Sequence, residues 1–555
     1  MKKNKLYFLV LFLIVLWGGW LRVYGLDKSP PSLNWDEASL GYNAYSILKT
    51  GKDEYNQTLP IFTRSFDDYK SAVPAYLSIP LIVLFGLNEI SIRLTSAIAG
   101  IVSIIAIFGI GYSLFKSFKI ALLSAFFFAI APFSIFFSRA LFEANIALAF
   151  FLFGYWCYLS YRKKTLLFVA SMILFILSMY TYHSYKIFVP IFIFGLFLSD
   201  KKTWLANRKN LLLALSVSAV LLIPMVIFTL GGQTLARFSS TSILKLIYPP
   251  FNQAITQNHD LGQFLNLFVH NQLFYFLWEI FGRYTAYFSP ANIFIQEAAE
   301  PGQRIPTLAV LYPFEAVFWL IGLLAVFKRF RENYPLGLLI LLSPIPAVVT
   351  WNWFHQVRVL PLFAAYSIVS GFGAHLVMRW VVDFLGRHFG PAKTKFQIVL
   401  VISIVFFGLW NSLYLFDALF VLLPKYYSGD WQPGFKQSIP VIARLQNNYD
   451  QIIIESPHAQ PYIFTLFYQA YPPGQYQMEA DYVELAKGPR KKYDFGKYVF
   501  KKIYWPDDRK LKKTLFMGTV FSLPEQDIKT QPNAKVISNI LDRDGNISIR
   551  IVGLE

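Results

Sequence analysis

The sequence predicts a mainly α-helical, polytopic membrane protein with about 11 transmembrane helices, outer juxtamembrane helices and a small C-terminal α/β domain outside the bilayer. Three observations predict it. Apolar residues make up 55% of the 555-residue chain and charged residues only 15%, against roughly 25% charged in ordinary soluble domains. Phe, Tyr and Trp reach 18%, a bias suited to lipid-facing helices with aromatic belts. Lys and Arg sit largely in short clusters between long apolar runs, where they orient helices.

Taken in order, the first apolar run (6–24) follows MKKNK and carries Trp17, Trp20 and Arg22 where a signal peptidase needs small residues. It reads as a retained signal anchor. Further runs lie near 91–115, 119–137, 143–161, 165–182, 187–199, 210–230, 308–327, 334–350, 357–379 and 397–423. The run from Pro74 to Leu87 is short and contains Pro80, which suits an interfacial helix better than a span. With that run on the outer surface and the amino terminus inside, every cytoplasmic segment is basic: MKKNK, KSFK (116–119), YRKK (161–164), SDKKTWLANRKN (199–210), KRFRE (328–332) and the 379–396 loop. Those segments obey the positive-inside rule. Were 74–87 to cross, the later basic loops would face outward.

This topology places outside the first loop (25–90), the turns at 138–143, 183–186 and 351–358, the long loop 231–306, and the tail. Residues 1–423 form the expected transmembrane domain and 424–555 the extracytoplasmic one. In the tail, QIIIESP (451–457) and ISIRIVG (547–553) are strand-like, and PGFKQSIPVIARLQ (433–446) is helix-like, the mixture of a small α/β domain. The net charge of +19 is spread over loops that meet anionic lipid. No nucleic-acid-binding signature accompanies it, so the expected partners are membrane lipids and no nucleic acid. Cys157 is the only cysteine, which excludes intrachain disulfides and thiolate metal clusters.

The candidate chemistry gathers at the outer ends of the spans. In NWDEASLGYNAYSILKTG (34–51), Asn34 is an N-cap and Ala38, Tyr42, Tyr45 and Leu48 recur at helical spacing. Asp36 and Glu37 then lie in the first turn of an amphipathic helix against the membrane. Two acids there complement the helix dipole, or serve as a general base or as ligands of a divalent cation. Asp67, Asp68 and Lys70 precede the interfacial helix; Lys70 meets a phosphate or anchors the helix at the headgroups. Arg93 snorkels at the start of the second span. Arg139 and Glu143, four apart, share a helix face and pair, or Glu143 joins Asp36 in a polar cleft. His183 and Lys186 in YTYHSYKIFVP (180–190), and His355 and Arg358 in WNWFHQVRVLP (351–361), are belt residues or cationic seats for a lipid-linked phosphate.

At these positions the sequence resembles the GT-C superfamily of integral-membrane glycosyltransferases, nearest the bacterial relatives of protein O-mannosyltransferases and lipid A aminoarabinose transferases. The resemblance rests on the order of WDE (35–37), LFGLNE (84–89), IRLTSAIAG (92–100), AIAPFSIFFSRALFEAN (129–145), YTYHSYKIFVP and HQVRVLPLF (355–363). It implies a catalytic acid at Asp36, with Glu37 beside it, and a second acid at Glu143, sometimes credited with metal or acceptor contacts. It also implies donor-phosphate contacts from Lys70, Lys186, Arg139 and Arg358, and His183 stands in the same turn as Lys186. KSAVP (70–74) stands where the family has His/Lys-Pro-Pro, and lysine stands at 186 where arginine is common.

The expected function is transfer of a sugar from a polyprenyl-phosphate donor to a lipid, glycan or protein acceptor on the outer face of the cytoplasmic membrane, with inversion. The one cofactor considered is a divalent cation (Mg or Mn) held by Asp36 and Glu143. A flippase or transporter for lipid-linked saccharides, and a glycan polymerase or ligase, are the alternatives. Transporters, however, place ionisable groups near the midplane and often show internal repeats.

Overall fold

In the computed structural model the described residues are 2–66, 68–161, 166–206, 208–231, 243, 252, 256, 271–389, 393–456, 460–479, 482–485, 488–491, 493–541 and 545–555. Asp67 lies outside them. The chain folds into two compact units: a helical one (1–24, 96–138 and 142–418) and a mixed one (25–95, 139–141 and 419–555).

Each apolar run becomes helix, but the helices break where sequence and backbone chemistry conflict. Those introduced first are α1 (Lys2–Val23), α2 (Trp35–Thr50), α3 (Val73–Phe85) and α4 (Glu89–Phe115). The third run divides into α5 (Phe118–Ile130) and α6 (Pro132–Arg139), bent by 54°, because Pro132 cannot continue the hydrogen-bond ladder. Next come α7 (Glu143–Ser160), α8 (Leu166–Thr181), α9 (His183–Ala206, kinked at Asp200) and α10 (Arg208–Leu230). Beyond 270 are α11 (Gln272–Ala286), α12 (Ala316–Lys328), α13 (Phe330–Leu342), α14 (Leu360–Phe389) and α15 (Lys393–Asp417).

Five helices among the described residues are long and apolar enough to cross a membrane, and the bent α5–α6 pair makes a sixth. The chain is a multi-pass membrane protein. The other expected spans are helices too, shortened by breaks such as the non-helical Asn333 in α13. The expected loop at 379–396 is a correction: α14 continues to Phe389. At 13 residues, α3 is about 20 Å long, short of the roughly 30 Å hydrocarbon core. Within the helical unit α12 and α14 touch at glycines: a Cβ on Gly373 would overlap the Phe318 carbonyl, the close approach that small residues permit between apolar helices.

The mixed unit holds a hairpin, β1 (Phe62–Ser65) with β2 (Asp68–Ser71), and the tail's sheet. The tail runs α16 (Pro433–Leu445), β3 (Gln451–Glu455), α17 (Pro461–Tyr468), α18 (Pro473–Glu479), the hairpin β4 (Tyr482–Leu485) and β5 (Gly488–Lys491), then β6 (Tyr498–Lys501), β7 (Thr514–Gly518), β8 (Ala534–Leu541) and β9 (Ile547–Leu554). Five strands pair in the order β6-β3-β7-β9-β8, with β3 parallel to β6 and β7 and with β9 antiparallel to β7 and β8. Ile453, Phe516 and Val552 stack in register across three strands and bury with Trp505 and Leu523. Both strand-like segments and the helix-like segment read from the tail take those forms.

The α2 helix is not the surface-lying amphipathic helix its spacing suggested. Every residue from Glu37 to Ala44 is buried, because the tail wraps it. A Cβ on Gly41 would sit 2.6 Å from the Phe467 ring, so glycine there lets α17 close on the helix. Gln477 of α18 donates to Ser46, Thr50 and the Asp53 carbonyl. On the first loop, Glu54 accepts from Tyr462 and Glu89 from Tyr468 (2.7 Å) and Lys436 (2.5 Å).

Candidate active site

The first turn of α2 is set by a reciprocal cap. The Glu37 N–H donates to Asn34 Oδ1 (2.9 Å), and the Asn34 N–H donates to Glu37 Oε2 (3.2 Å). This capping box satisfies two backbone donors at once and fixes where the two neighbouring acids point. They point to different fates.

Glu37 is 1% exposed. Arg93 Nε donates to its Oε1 (3.0 Å) and Arg93 Nη2 to its Oε2 (3.2 Å). The backbone N–H of Leu141 adds a bond to Oε1 (3.0 Å). Arg93 in turn donates to the carbonyls of Leu26, Pro30 and Ser32, so it ties the loop before α2 to the start of α4. It is fully buried, not snorkelling, because a paired guanidinium is stable away from water where a lone one is not. A carboxylate holding four such bonds has no lone pair left for a substrate proton. Glu37 therefore orients the turn, and its place as a second catalytic acid is not supported by this geometry.

Asp36 is the opposite case. Its side chain is about half exposed, and its Oδ1 pairs with Lys70 Nζ. Lys70 is delivered by β2, is 7% exposed, and sits 5.6 Å from the centre of the Phe66 ring. The hairpin register, with Thr63 opposite Lys70, holds it there. One carboxylate oxygen is thus oriented by a cation while the other remains available, an arrangement suited to a general base that must be positioned without being buried.

Arg139 ends α6 and is fully buried. It donates to the carbonyls of Ser29 (2.8 and 3.1 Å) and Gly25 (3.0 Å) and lies over the Phe420 ring. Its role in the mixed unit is to hold the loop that precedes α2. The expected Arg139–Glu143 relation on one helix does not hold, because α6 stops at Arg139 and α7 starts at Glu143.

The remaining expected residues belong to the helical unit. Glu143 is the first residue of α7, and His183 and Lys186 stand in the first turn of α9; all three are half-buried. Arg358 lies in a 3-10 turn, where its Nη1 donates to Thr350 Oγ1 and Asn352 Oδ1. Sequence reasoning missed what surrounds it. Asn352 bonds Glu300, Gln303 reaches His355 Nε2 (3.3 Å), and the His355 N–H donates to the Tyr287 hydroxyl (3.0 Å). Burial, with Arg358 beside it, pushes His355 down to about 3, so its imidazole is neutral. Glu279 and Arg283 form an i,i+4 pair at 2.9 Å, and Arg283 donates to the Trp351 carbonyl.

A divalent cation does not fit the Asp36 seat. Lys70 already supplies positive charge there, Glu37 is committed to Arg93, and among the described residues no three His, Cys, Asp or Glu side chains form a metal-sized group.

Residues 70–228 match the family described as dolichyl-phosphate-mannose-protein mannosyltransferase. No curated protein matches the chain in sequence. Among solved structures, ArnT from Cupriavidus metallidurans in the apo state is similar over 100% of this chain and 97% of its own, with a TM-score of 0.55 at 12% identity. The same protein bound to undecaprenyl phosphate gives 0.54 at 11% identity, over 99% and 98% of the two chains. Residues 70–228, from β2 to α10, thus match that family's model, and the chain as a whole shares the fold of ArnT.

Proposed function

We propose that this chain transfers a sugar from a polyprenyl-phosphate donor to a hydroxyl or amine of a lipid, glycan or protein acceptor. The reaction takes place at the extracytoplasmic face of the cytoplasmic membrane, with the amino terminus inside and the tail outside, the sidedness that the basic loops favour. The observation that carries the reading is the contrast in the first turn of α2: Glu37 is locked by Arg93, while Asp36 is half exposed and steered by Lys70. The lipid phosphate bound by ArnT in its second structure supports the donor class.

In this reading Asp36 takes the proton from the acceptor as its oxygen or nitrogen attacks the anomeric carbon. The bond from that carbon to the phosphate oxygen breaks, and the polyprenyl phosphate leaves. Lys70, beside Asp36, stabilises the charge growing on the departing phosphate, the electrostatic share of the barrier. A single base with a good leaving group gives direct displacement, hence inversion.

The test is donor choice. Purified protein in lipid should consume a short-chain polyprenyl-phosphate hexose or pentose and leave the matching nucleotide sugar untouched. Turnover of the nucleotide sugar alone would contradict the reading.

A further inference from the structure

The β1–β2 hairpin carries an unfavourable residue at its turn. Ser65 and Asp68 face each other at its end, so the chain reverses directly after Ser65, and Phe66 takes a φ of +60° there. Tight hairpin turns use that left-handed backbone, and glycine, asparagine or aspartate supplies it with little strain. A phenylalanine in it is an outlier, because its Cβ crowds the backbone. Such strain persists only where the surroundings over-determine it, and it clusters at functional sites.

Three contacts over-determine this turn. The Tyr55 hydroxyl donates to the Phe66 carbonyl (3.4 Å). The hydroxyls of Ser65 and of Ser39 on α2 are hydrogen-bonded at 3.0 Å. The Phe66 ring meets Tyr462 of α17 edge to face, at 6.1 Å and 84°. Tyr462 is itself fixed. Its hydroxyl donates to Glu54 Oε2 (3.2 Å), Glu54 Oε1 accepts from Asn43 of α2 (3.0 Å), and its ring stacks on Tyr493 at 4.3 Å. Glu54, Asn43 and Tyr462 are all buried, so the ring of Phe66 rests on a rigid support.

The other neighbour of that ring is the Lys70 ammonium, 5.6 Å from its centre, and the same ammonium pairs with Asp36 Oδ1. An aromatic face attracts a cation through its quadrupole. Lys70 needs this second hold, because a flexible side chain loses rotamer freedom in an ion pair, and a pair with a half-exposed acid is weak by itself. Glycine or asparagine at 66 would ease the turn and leave the ammonium without its wall. The sequence has the strained residue that brings a ring.

We propose that Phe66 is a positioning residue for the transfer reaction. Held in a strained turn between Tyr462 and Lys70, its ring fixes the Lys70 ammonium against Asp36, where the base and the phosphate-stabilising cation act together. The inference rests on the proposed transfer activity, and every residue it names belongs to the mixed unit.

The experiment compares wild type with Phe66→Asn, Phe66→Tyr and a protein carrying trifluorinated phenylalanine at position 66, in lipid, reading donor kcat/KM and melting temperature. Fluorine drains the negative face of the ring and keeps its shape, so it tests the cation contact apart from packing. The fluorinated protein loses about fivefold in kcat/KM at an unchanged melting temperature. Phe66→Asn, which accepts the left-handed backbone but has no ring, loses about tenfold, and Phe66→Tyr, which keeps the ring, stays within about twofold. In a Lys70→Met background fluorination changes nothing, because the cation it acts through is gone. Wild-type kcat/KM in the fluorinated protein or in Phe66→Asn, or an equal fluorine effect in the Lys70→Met background, overturns the inference and makes Phe66 a packing residue only. If Phe66→Asn does not fold, the isosteric fluorinated protein decides by the same criteria. A wild type that transfers no sugar from any polyprenyl phosphate is a different outcome, and it fails the proposed function itself.

Discussion

The first turn of α2 and the turn before α14 handle charge in different ways. At α2 an arginine meets a carboxylate: Arg93 takes both oxygens of Glu37 and three backbone carbonyls besides. In the turn at 350–358, Arg358 meets neutral oxygens, those of Thr350 and Asn352, beside a histidine that burial keeps uncharged. The difference teaches what each region is for. A guanidinium neutralised by a buried acid holds structure, since neither partner can leave without stranding the other. The half-buried Arg358 guanidinium, bonded to neutral oxygens, is not neutralised by those bonds.

Four changes would break or sharpen that contrast. The largest effect belongs to Arg93→Met, which leaves Glu37 buried and unpaired; a loss of about 3–5 kcal/mol is expected, read as a large fall in melting temperature. A small fall would mean that Glu37 is not held as the geometry indicates. Next is the acid sensitivity of the 350–358 turn. His355 sits at about 3 in the folded chain against about 6.5 when unfolded. Its contribution to stability is intact above pH 6.5 and is lost as pH falls from there toward 3. Between pH 7 and pH 5 that amounts to about 2 kcal/mol, and His355→Gln should flatten this part of a melting-temperature profile.

Lys70→Met comes third. Losing one charge-assisted bond, worth about 1.5–3 kcal/mol, should raise donor KM or lower kcat by tenfold or more with little change in melting temperature. A purely structural lysine would show the reverse. The smallest expected effect is Tyr468→Phe, which removes one hydroxyl from Glu89 and should cost about 1 kcal/mol, because Lys436 still pairs with that acid.

What the sequence disclosed divides along the same line of locality. The cap of α2 was legible because Asn34 and Glu37 are three residues apart. The two tail strands were legible from their apolar runs. The partner of Glu37 was not, because Arg93 lies 56 residues on and an arginine at the head of a span ordinarily snorkels. Nor did periodicity show that α2 would be buried all round, since its cover comes from Phe467, Tyr471 and Gln477 of the tail. The shared helix face expected for Arg139 and Glu143 failed for a local reason the spacing concealed: one helix ends at Arg139 and the next starts at Glu143. Pro132, seven residues before Arg139, was the available signal that the third span is bent.

The central claim is that two adjacent acids have opposite duties, Asp36 chemical and Glu37 structural. Transfer rate and melting temperature measured on Asp36→Asn and Glu37→Gln side by side test it most directly. The account expects Asp36→Asn to lose at least about 100-fold in rate at an unchanged melting temperature, and Glu37→Gln to melt markedly earlier. Near-normal turnover by Asp36→Asn, or a Glu37→Gln protein that is fully stable yet inactive, would contradict it.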